Sequence, residues 1–114
     1  MKISKKNWIK AYKETLRQYE TDTHDNTTYH CSKCILVNIN KNSCINCPED
    51  VFKKLRLYGC LERNNPAVSS NDIRLSTKKK IIEYHKKAIN YLENMKRYSK
   101  KDFSLYLKKI DNEI

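Results

Sequence analysis

Four cysteines form two closely spaced pairs near the middle of the chain. Cys31 and Cys34 make the first pair, Cys44 and Cys47 make the second, and nine residues separate the pairs. Two cysteines three positions apart can bend around one ion, and two such turns complete a tetrahedron of sulfur. Thiolates are soft ligands that suit Zn²⁺, which needs no redox change. Because a closed shell of four sulfurs leaves no position for water, the spacing predicts a structural zinc ion.

The identity of the metal and the choice of ligands both leave alternatives open. An iron–sulfur cluster is held by four cysteines in the same way, so spacing alone does not separate it from zinc. Cys60 lies 13 residues after Cys47 and is an alternative ligand, in place of Cys44. If Cys60 is not a ligand, we expect it to pack as a small core residue near the site. His30, directly before Cys31, is a weaker candidate.

Cysteine usage also bears on the cellular compartment. The first residues are basic, but no apolar segment follows them as a secretory signal would require. Five cysteines without such a signal favour metal binding in a reducing compartment over disulfides. No stretch approaches the ~20 apolar residues that cross a membrane. We therefore expect a cytoplasmic protein without a membrane span.

The cysteine region resembles known zinc-binding proteins. Residues 31–57 are similar to treble-clef and zinc-ribbon folds, in which two such knuckles bracket a short β-hairpin. The wider stretch from Cys31 to Cys60 resembles small zinc-binding proteins that bacteriophages encode. This resemblance implies a phage or mobile-element origin, and hence a host cytoplasm, rather than an activity. The chain departs from the ribbon pattern at Ile35 and Pro48, where such knuckles often have glycine.

One helix is expected before the cysteine pairs, and a second, shorter helix is expected directly after them. A first helix capped by Ser4 should run to about Tyr19. Its apolar face recurs at helical spacing, at Trp8, Tyr12, Leu16 and Tyr19. A short helix from Pro48 to about Leu57 should follow, because proline is tolerated at the first helical position. Gly59 is placed where that helix would end.

The longest predicted helix runs from about Lys78 to Tyr98. Ser76 or Thr77 is expected to be its N-cap. Its apolar positions recur at helical spacing, at Ile81, Ile82, His85, Ala88, Ile89, Leu92 and Met95. Since His85 lies on this face, we expect a core or interface histidine rather than a metal ligand.

A last helix is predicted to begin directly after Ser99. Ser99 to Asp102 has the form of a capping box with Asp in place of Glu. The apolar positions that follow are Phe103, Tyr106, Leu107 and Ile110. A helix that restarts so soon after Tyr98 predicts a tight turn and an antiparallel helical hairpin over residues 76–114.

The chain is strongly basic. It has 24 Lys and Arg against 13 Asp and Glu, a formal charge of +11. A basic surface attracts polyanions, either nucleic acid or an acidic protein surface. The candidate nucleic-acid-binding residues lie on the two C-terminal helices, at Lys78, Lys79, Lys80, Lys86, Lys87, Lys96, Arg97, Lys100 and Lys101. Tyr84, Tyr91 and Tyr98, seven residues apart, lie beside them and could stack on bases.

A second explanation of the charge remains open. Coding in an AT-rich genome also enriches lysine, and the same helices can be solvated faces with tyrosines at the core margin. Only five of the basic residues are arginine. Since arginine is the main reader of bases through paired hydrogen bonds, any nucleic-acid binding should be mostly electrostatic.

No arrangement of residues indicates catalysis, so we expect no enzyme. An HNH-type nuclease needs a metal-binding and a catalytic histidine, and none of His24, His30 and His85 has such a setting. The sequence predicts one mainly α-helical domain over residues 1–114, with a zinc knuckle within residues 31–60. We expect a nucleic-acid-binding accessory or regulatory protein. The alternative is a protein-binding inhibitor or adaptor, such as one that blocks a host defence nuclease complex.

Overall fold

The fold is mainly helical. The computed structural model describes residues 3–21, 47–49, 54–55, 58–59 and 75–113. The elements in these ranges are, in chain order, α1 (Lys5–Thr21), β1 (Lys54–Leu55), β2 (Tyr58–Gly59), α2 (Leu75–Asn94) and α3 (Lys100–Glu113). The predicted mainly helical class is therefore confirmed for the described residues. The hairpin expected between the two cysteine pairs lies outside them.

Helix α1 begins where the sequence predicts. The backbone N–H of Asn7 donates to Ser4 Oγ at 3.3 Å, and the N–H of Trp8 donates to Ser4 O at 3.1 Å. Ser4 is thus the N-cap, because its side chain accepts from an N–H that has no partner within the helix. The predicted apolar face is buried at Trp8, Tyr12 and Tyr19.

Helix α2 is displaced from its predicted bounds. It begins at Leu75 and ends at Asn94, so Ser76 and Thr77 lie inside the helix rather than at its N-cap. The prediction that it continues to Tyr98 is also wrong. Tyr98 lies beyond the helix end, where its ring stacks on that of Trp8 with centroids 5.7 Å apart. Helical periodicity along the sequence does not show such a contact.

The end of α2 is closed by two hydrogen bonds. The N–H of Met95 donates to Leu92 O at 3.2 Å, which is the tighter spacing common in a last helical turn. Lys5 Nζ, from the start of α1, donates to Met95 O at 2.8 Å. A cation at this position also favours the helix dipole. Lys5, in the first turn of α1, therefore supplies a hydrogen-bond donor at the C-terminal end of α2.

Helix α3 begins as predicted. Ser99 Oγ accepts from the N–H of Asp102 at 3.3 Å, and Ser99 O accepts from the N–H of Phe103 at 2.9 Å. Ser99 is therefore the N-cap of a helix whose first residue is Lys100.

The helix predicted from Pro48 to Leu57 is wrong at Lys54 and Leu55. Lys54–Leu55 instead pairs antiparallel with Tyr58–Gly59, with Lys54 opposite Gly59 and Leu55 opposite Tyr58. A helix of about ten residues is marginal on its own, so local propensity decides little there. Gly59 consequently lies in a strand rather than at a helix end.

The described helices share one core. Helices α1 and α2 run antiparallel, since the start of α1 contacts the end of α2 and Glu20, near the end of α1, pairs with Lys86 at 3.8 Å. His85 is fully buried, as predicted, with Nδ1 2.8 Å from Ile81 O. The buried apolar residues that form this core are Ile3, Trp8, Tyr12, Tyr19, Cys47, Ile81, Tyr84, Ala88, Ile89, Leu92, Phe103, Leu107 and Ile110.

Candidate functional site

Of the predicted metal ligands, the structure describes Cys47. Its side chain is 6% exposed and belongs to the core shared by the helices. Cys31, Cys34, Cys44 and the alternative ligand Cys60 lie outside the described residues. Within the described residues, no group of three or more His, Cys, Asp or Glu side chains could hold a metal ion. The four-cysteine zinc site therefore stays a prediction.

The segment Cys47-Pro48-Glu49 is fixed to both C-terminal helices. Ser104 Oγ of α3 donates to Pro48 O at 2.7 Å. Tyr84 Oη of α2 donates to Glu49 Oε1 at 2.6 Å, and both side chains are fully buried. A hydrogen bond to a carboxylate is stronger than one between neutral groups. The chain directly after Cys47 is thus held against α2 and α3 by contacts that span 56 and 35 residues.

Sequence reasoning did not identify Glu49 or Ser104 as positioning residues. A buried carboxylate is rare unless it is paired, and nothing in the local sequence around Glu49 indicates its partner. Burial of Ser104 follows from helical spacing, because it lies next to Phe103 and three residues before Leu107. That spacing is the signal that could have placed Ser104 at the core margin.

The surroundings of Cys47 are rich in protonated hydroxyl groups. Burial raises the pKa of Tyr12 well above its usual value, and the nearby charges of Glu49, Tyr84 and Cys47 raise it further. Burial also raises the pKa of Tyr98, and the proximity of Cys47 adds to this shift. Both hydroxyls therefore stay protonated over the physiological range.

The structure divides the predicted basic residues into two groups. On the body of α2, Lys86 pairs with Glu20 at 3.8 Å and Lys87 pairs with Glu83 at 3.4 Å. These ion pairs lower the net charge that the middle of α2 presents. Exposed side chains in the predicted set are Lys79, Lys80, Lys86, Lys96, Arg97 and Lys101, while Lys78, Lys87 and Lys100 are half-buried.

The second group lies in the connection between α2 and α3 and in the first turn of α3. We define the basic corner as Lys96, Arg97, Lys100 and Lys101. These four cations lie within six consecutive residues, and none of them forms an ion pair in the described ranges. Lys79 and Lys80, near the start of α2, are likewise exposed. The basic corner is therefore a short, concentrated patch of positive charge.

An open cleft of about 340 Å³ adjoins the basic corner. Its walls combine an aromatic ring, a thioether, an amide, two cations and one carboxylate. The lining residues are Tyr91, Asn94, Met95, Lys96, Arg97 and Asp102. Cavities of this size are in the range that binds small ligands. The cleft thus adds hydrogen-bonding groups to a surface that otherwise presents charge.

The expectation that the three tyrosines form a base-stacking strip is wrong for Tyr84. Its side chain is fully buried and its hydroxyl bonds to Glu49, so no base can reach its ring. Tyr91 lies against Tyr106, with ring centroids 4.0 Å apart and planes 9° apart. With Tyr98 stacked on the α1 tryptophan, all three rings pack against other parts of the protein.

Comparison with known proteins does not supply a function. No protein-family model, no curated protein and no solved structure matches this chain. Across the described parts of the chain, none of the helices combines the length and the apolar character that crossing a membrane requires. The function therefore has to be argued from the residues and their geometry.

Proposed function

We propose that this protein is a nucleic-acid-binding accessory or regulatory protein whose main phosphate contact is the basic corner. The observation that carries the proposal is the concentration of Lys96, Arg97, Lys100 and Lys101 at one turn, without an ion pair among the described residues. Charge that is not used within the fold is available to a polyanion. The excess of basic residues over the whole chain, +11, acts in the same direction at longer range.

The expected affinity is mostly electrostatic. Each cation that contacts a phosphate releases a counterion, so the binding constant falls with salt by a slope of roughly −0.7 per contact for single strands. Four contacts from the basic corner give a slope of about −2.8. Raising the salt concentration from 50 to 200 mM should then weaken binding about 50-fold.

Zinc belongs to the proposal as a structural element. The predicted four-cysteine site includes Cys47, whose next two residues are held by Ser104 and Tyr84. Bound metal would supply folding free energy to the knuckle. Cys47 and its neighbours would pass that order to α2 and α3, which present the basic corner. The resemblance of residues 31–60 to phage zinc-binding proteins supports an origin in a phage or mobile element, acting in a host cytoplasm.

The proposal is tested with two double variants that remove the same charge. Lys96→Gln/Arg97→Gln should weaken binding to a labelled single-stranded oligonucleotide and reduce the salt slope by about 1.4. Lys79→Gln/Lys80→Gln removes two exposed cations near the other end of α2, roughly 20 Å away along the helix. This control should leave the slope nearly unchanged. Fluorescence anisotropy at several salt concentrations measures both quantities.

Two results would count against the proposal. Failure of the unmodified protein to bind DNA or RNA even at low salt would remove nucleic acid as the partner. Equal losses in the two double variants would show that binding follows total charge and not the basic corner.

A protein-binding inhibitor or adaptor is the second candidate, because one exposed apolar residue of α3 has lysines as its neighbours along the helix. Leu105 of α3 is 57% exposed. Lys101 lies four residues before it, and Lys108 and Lys109 lie three and four residues after it, so all three are its neighbours along the helix. An apolar side chain among cations suits an acidic protein surface with an apolar depression. Under this function, Leu105→Ala should reduce capture of a host protein from nuclease-treated lysate while leaving oligonucleotide binding unchanged. An unaffected capture would remove this surface from consideration.

A further inference from the structure

The cleft beside the basic corner contains a carboxylate that phosphate binding does not explain. Asp102 is exposed, and its carboxylate forms neither an ion pair nor a hydrogen bond in the described part of the chain. Its position in the first turn of α3 favours an acid through the helix dipole. That effect stabilises the helix, but a negative charge in the same cleft as Lys96 and Arg97 weakens attraction for phosphates. A surface that only gripped phosphates would be stronger without it.

A second acceptor in the cleft is held in a defined orientation. Asn94 Nδ2 donates to Asn90 O at 2.8 Å and to Asn90 Oδ1 at 3.3 Å. The amino group of Asn94 is therefore engaged within α2, and Oδ1 is the atom of this side chain that can accept from a ligand. Since an ionised carboxylate also only accepts, Asp102 and Asn94 provide acceptors, while Lys96 and Arg97 provide donors.

We propose that this cleft takes one unpaired guanine of a single strand, with the carboxylate of Asp102 accepting from its Watson–Crick edge. The inference rests on the proposed nucleic-acid-binding function and adds a base preference to it. Guanine presents an N1–H and an amino group side by side, which match the two oxygens of one carboxylate. Adenine and cytosine place an acceptor nitrogen beside their amino group. Uracil and thymine flank their single N–H with two carbonyls, which a carboxylate repels.

The shape of the cleft favours a base within a strand over a free small molecule. Its volume of about 340 Å³ accommodates a base, but the cleft is open to solvent. Small ligands bind well when a pocket covers most of their surface, which an open cleft does not do. A base in a strand is held in addition by phosphate contacts on either side, here to Lys96 and Arg97. In a duplex the Watson–Crick edge of guanine is already paired, so the base has to be unpaired.

The test compares four single-stranded oligonucleotides that share one uridine sequence and differ at one central base. By fluorescence anisotropy, the unmodified protein should bind the guanine oligonucleotide about tenfold more tightly than the other three, within the range of one paired hydrogen-bonding contact to a base. Asp102→Asn should abolish this preference while binding of the all-uridine strand stays equal or increases, because a negative charge is removed. Asp102→Glu, which keeps the carboxylate, should retain part of the preference.

A matched control separates the contact from the change in charge. Glu113→Gln removes one negative charge from an exposed residue in the last turn of α3 that does not line the cleft, and should leave the guanine preference intact. Equal binding of all four oligonucleotides by the unmodified protein, or a preference that survives Asp102→Asn, overturns the inference but not the proposed function. Absence of any binding at low salt overturns both. Circular dichroism of each variant checks that it is still helical. If a variant is unfolded, the comparison of the four oligonucleotides on the unmodified protein still tests the guanine preference.

Discussion

Removing one buried hydroxyl should have different consequences for stability at two tyrosines. Tyr84→Phe deletes the hydroxyl that donates to Glu49 at 2.6 Å in a fully buried setting. Tyr98→Phe deletes a buried hydroxyl that has no hydrogen-bond partner among the described residues. The two variants lose the same atom from the same kind of side chain. Any difference in stability therefore reports the partner of the hydroxyl.

The magnitudes follow from the partner. A hydrogen bond to a charged group contributes about 1.5–3 kcal/mol, and Glu49 takes part in at least one further interaction. We therefore expect Tyr84→Phe to lower the free energy of unfolding by about 1.5–2 kcal/mol, or Tm by roughly 5–10 °C for a chain of this size. A buried hydroxyl without a partner destabilises the fold, so Tyr98→Phe should leave Tm unchanged or raise it by a few degrees.

Urea unfolding followed by circular dichroism at 222 nm measures both free energies, and thermal unfolding gives Tm. Tyr106→Phe is the control, because that ring is half-buried and its loss of a hydroxyl should change stability by less than about 0.5 kcal/mol. A Tyr84→Phe variant as stable as this control would refute the view that the Glu49 contact fixes the segment after Cys47. A loss above about 1 kcal/mol in Tyr98→Phe would show that its hydroxyl has a stabilising partner.

Two further predictions concern alkaline pH and the metal. Because burial raises the pKa of Tyr12 and Tyr98 in the fold, the unfolded chain loses these protons first, near pH 10. The free energy of unfolding should thus be level below about pH 10 and fall above it by roughly 1.4 kcal/mol per pH unit for each such tyrosine. Urea unfolding from pH 8 to 11 measures this profile. A profile that stays level up to pH 11 would contradict this reasoning. Elemental analysis should find about one zinc per chain, and chelation should lower both Tm and helical content, since Cys47 packs in the helical core. Iron in place of zinc, or full helicity after chelation, would refute the structural zinc site.

Local signals in the sequence were enough to place α1 and α3 and their buried faces. The N-caps at Ser4 and Ser99 accept from groups three and four residues away, so the information lies within one turn of chain. The buried positions Trp8, Tyr12 and Phe103 likewise follow from the helical period. The spacing of the cysteines predicts their chemistry in the same local way, because each pair lies within four residues of chain.

Contacts between distant residues decided the rest. Helix α2 ends before Tyr98, whose ring packs on a residue 90 positions earlier, and the burial of Tyr84 depends on Glu49, 35 positions earlier. Composition gives the number of charges, but only the packing of α1 against α2 pairs Lys86 with Glu20. The sequence therefore determined which residues carry charge. Tertiary structure decided which of them remain without an ion pair, because pairing depends on neighbours that local periodicity does not show.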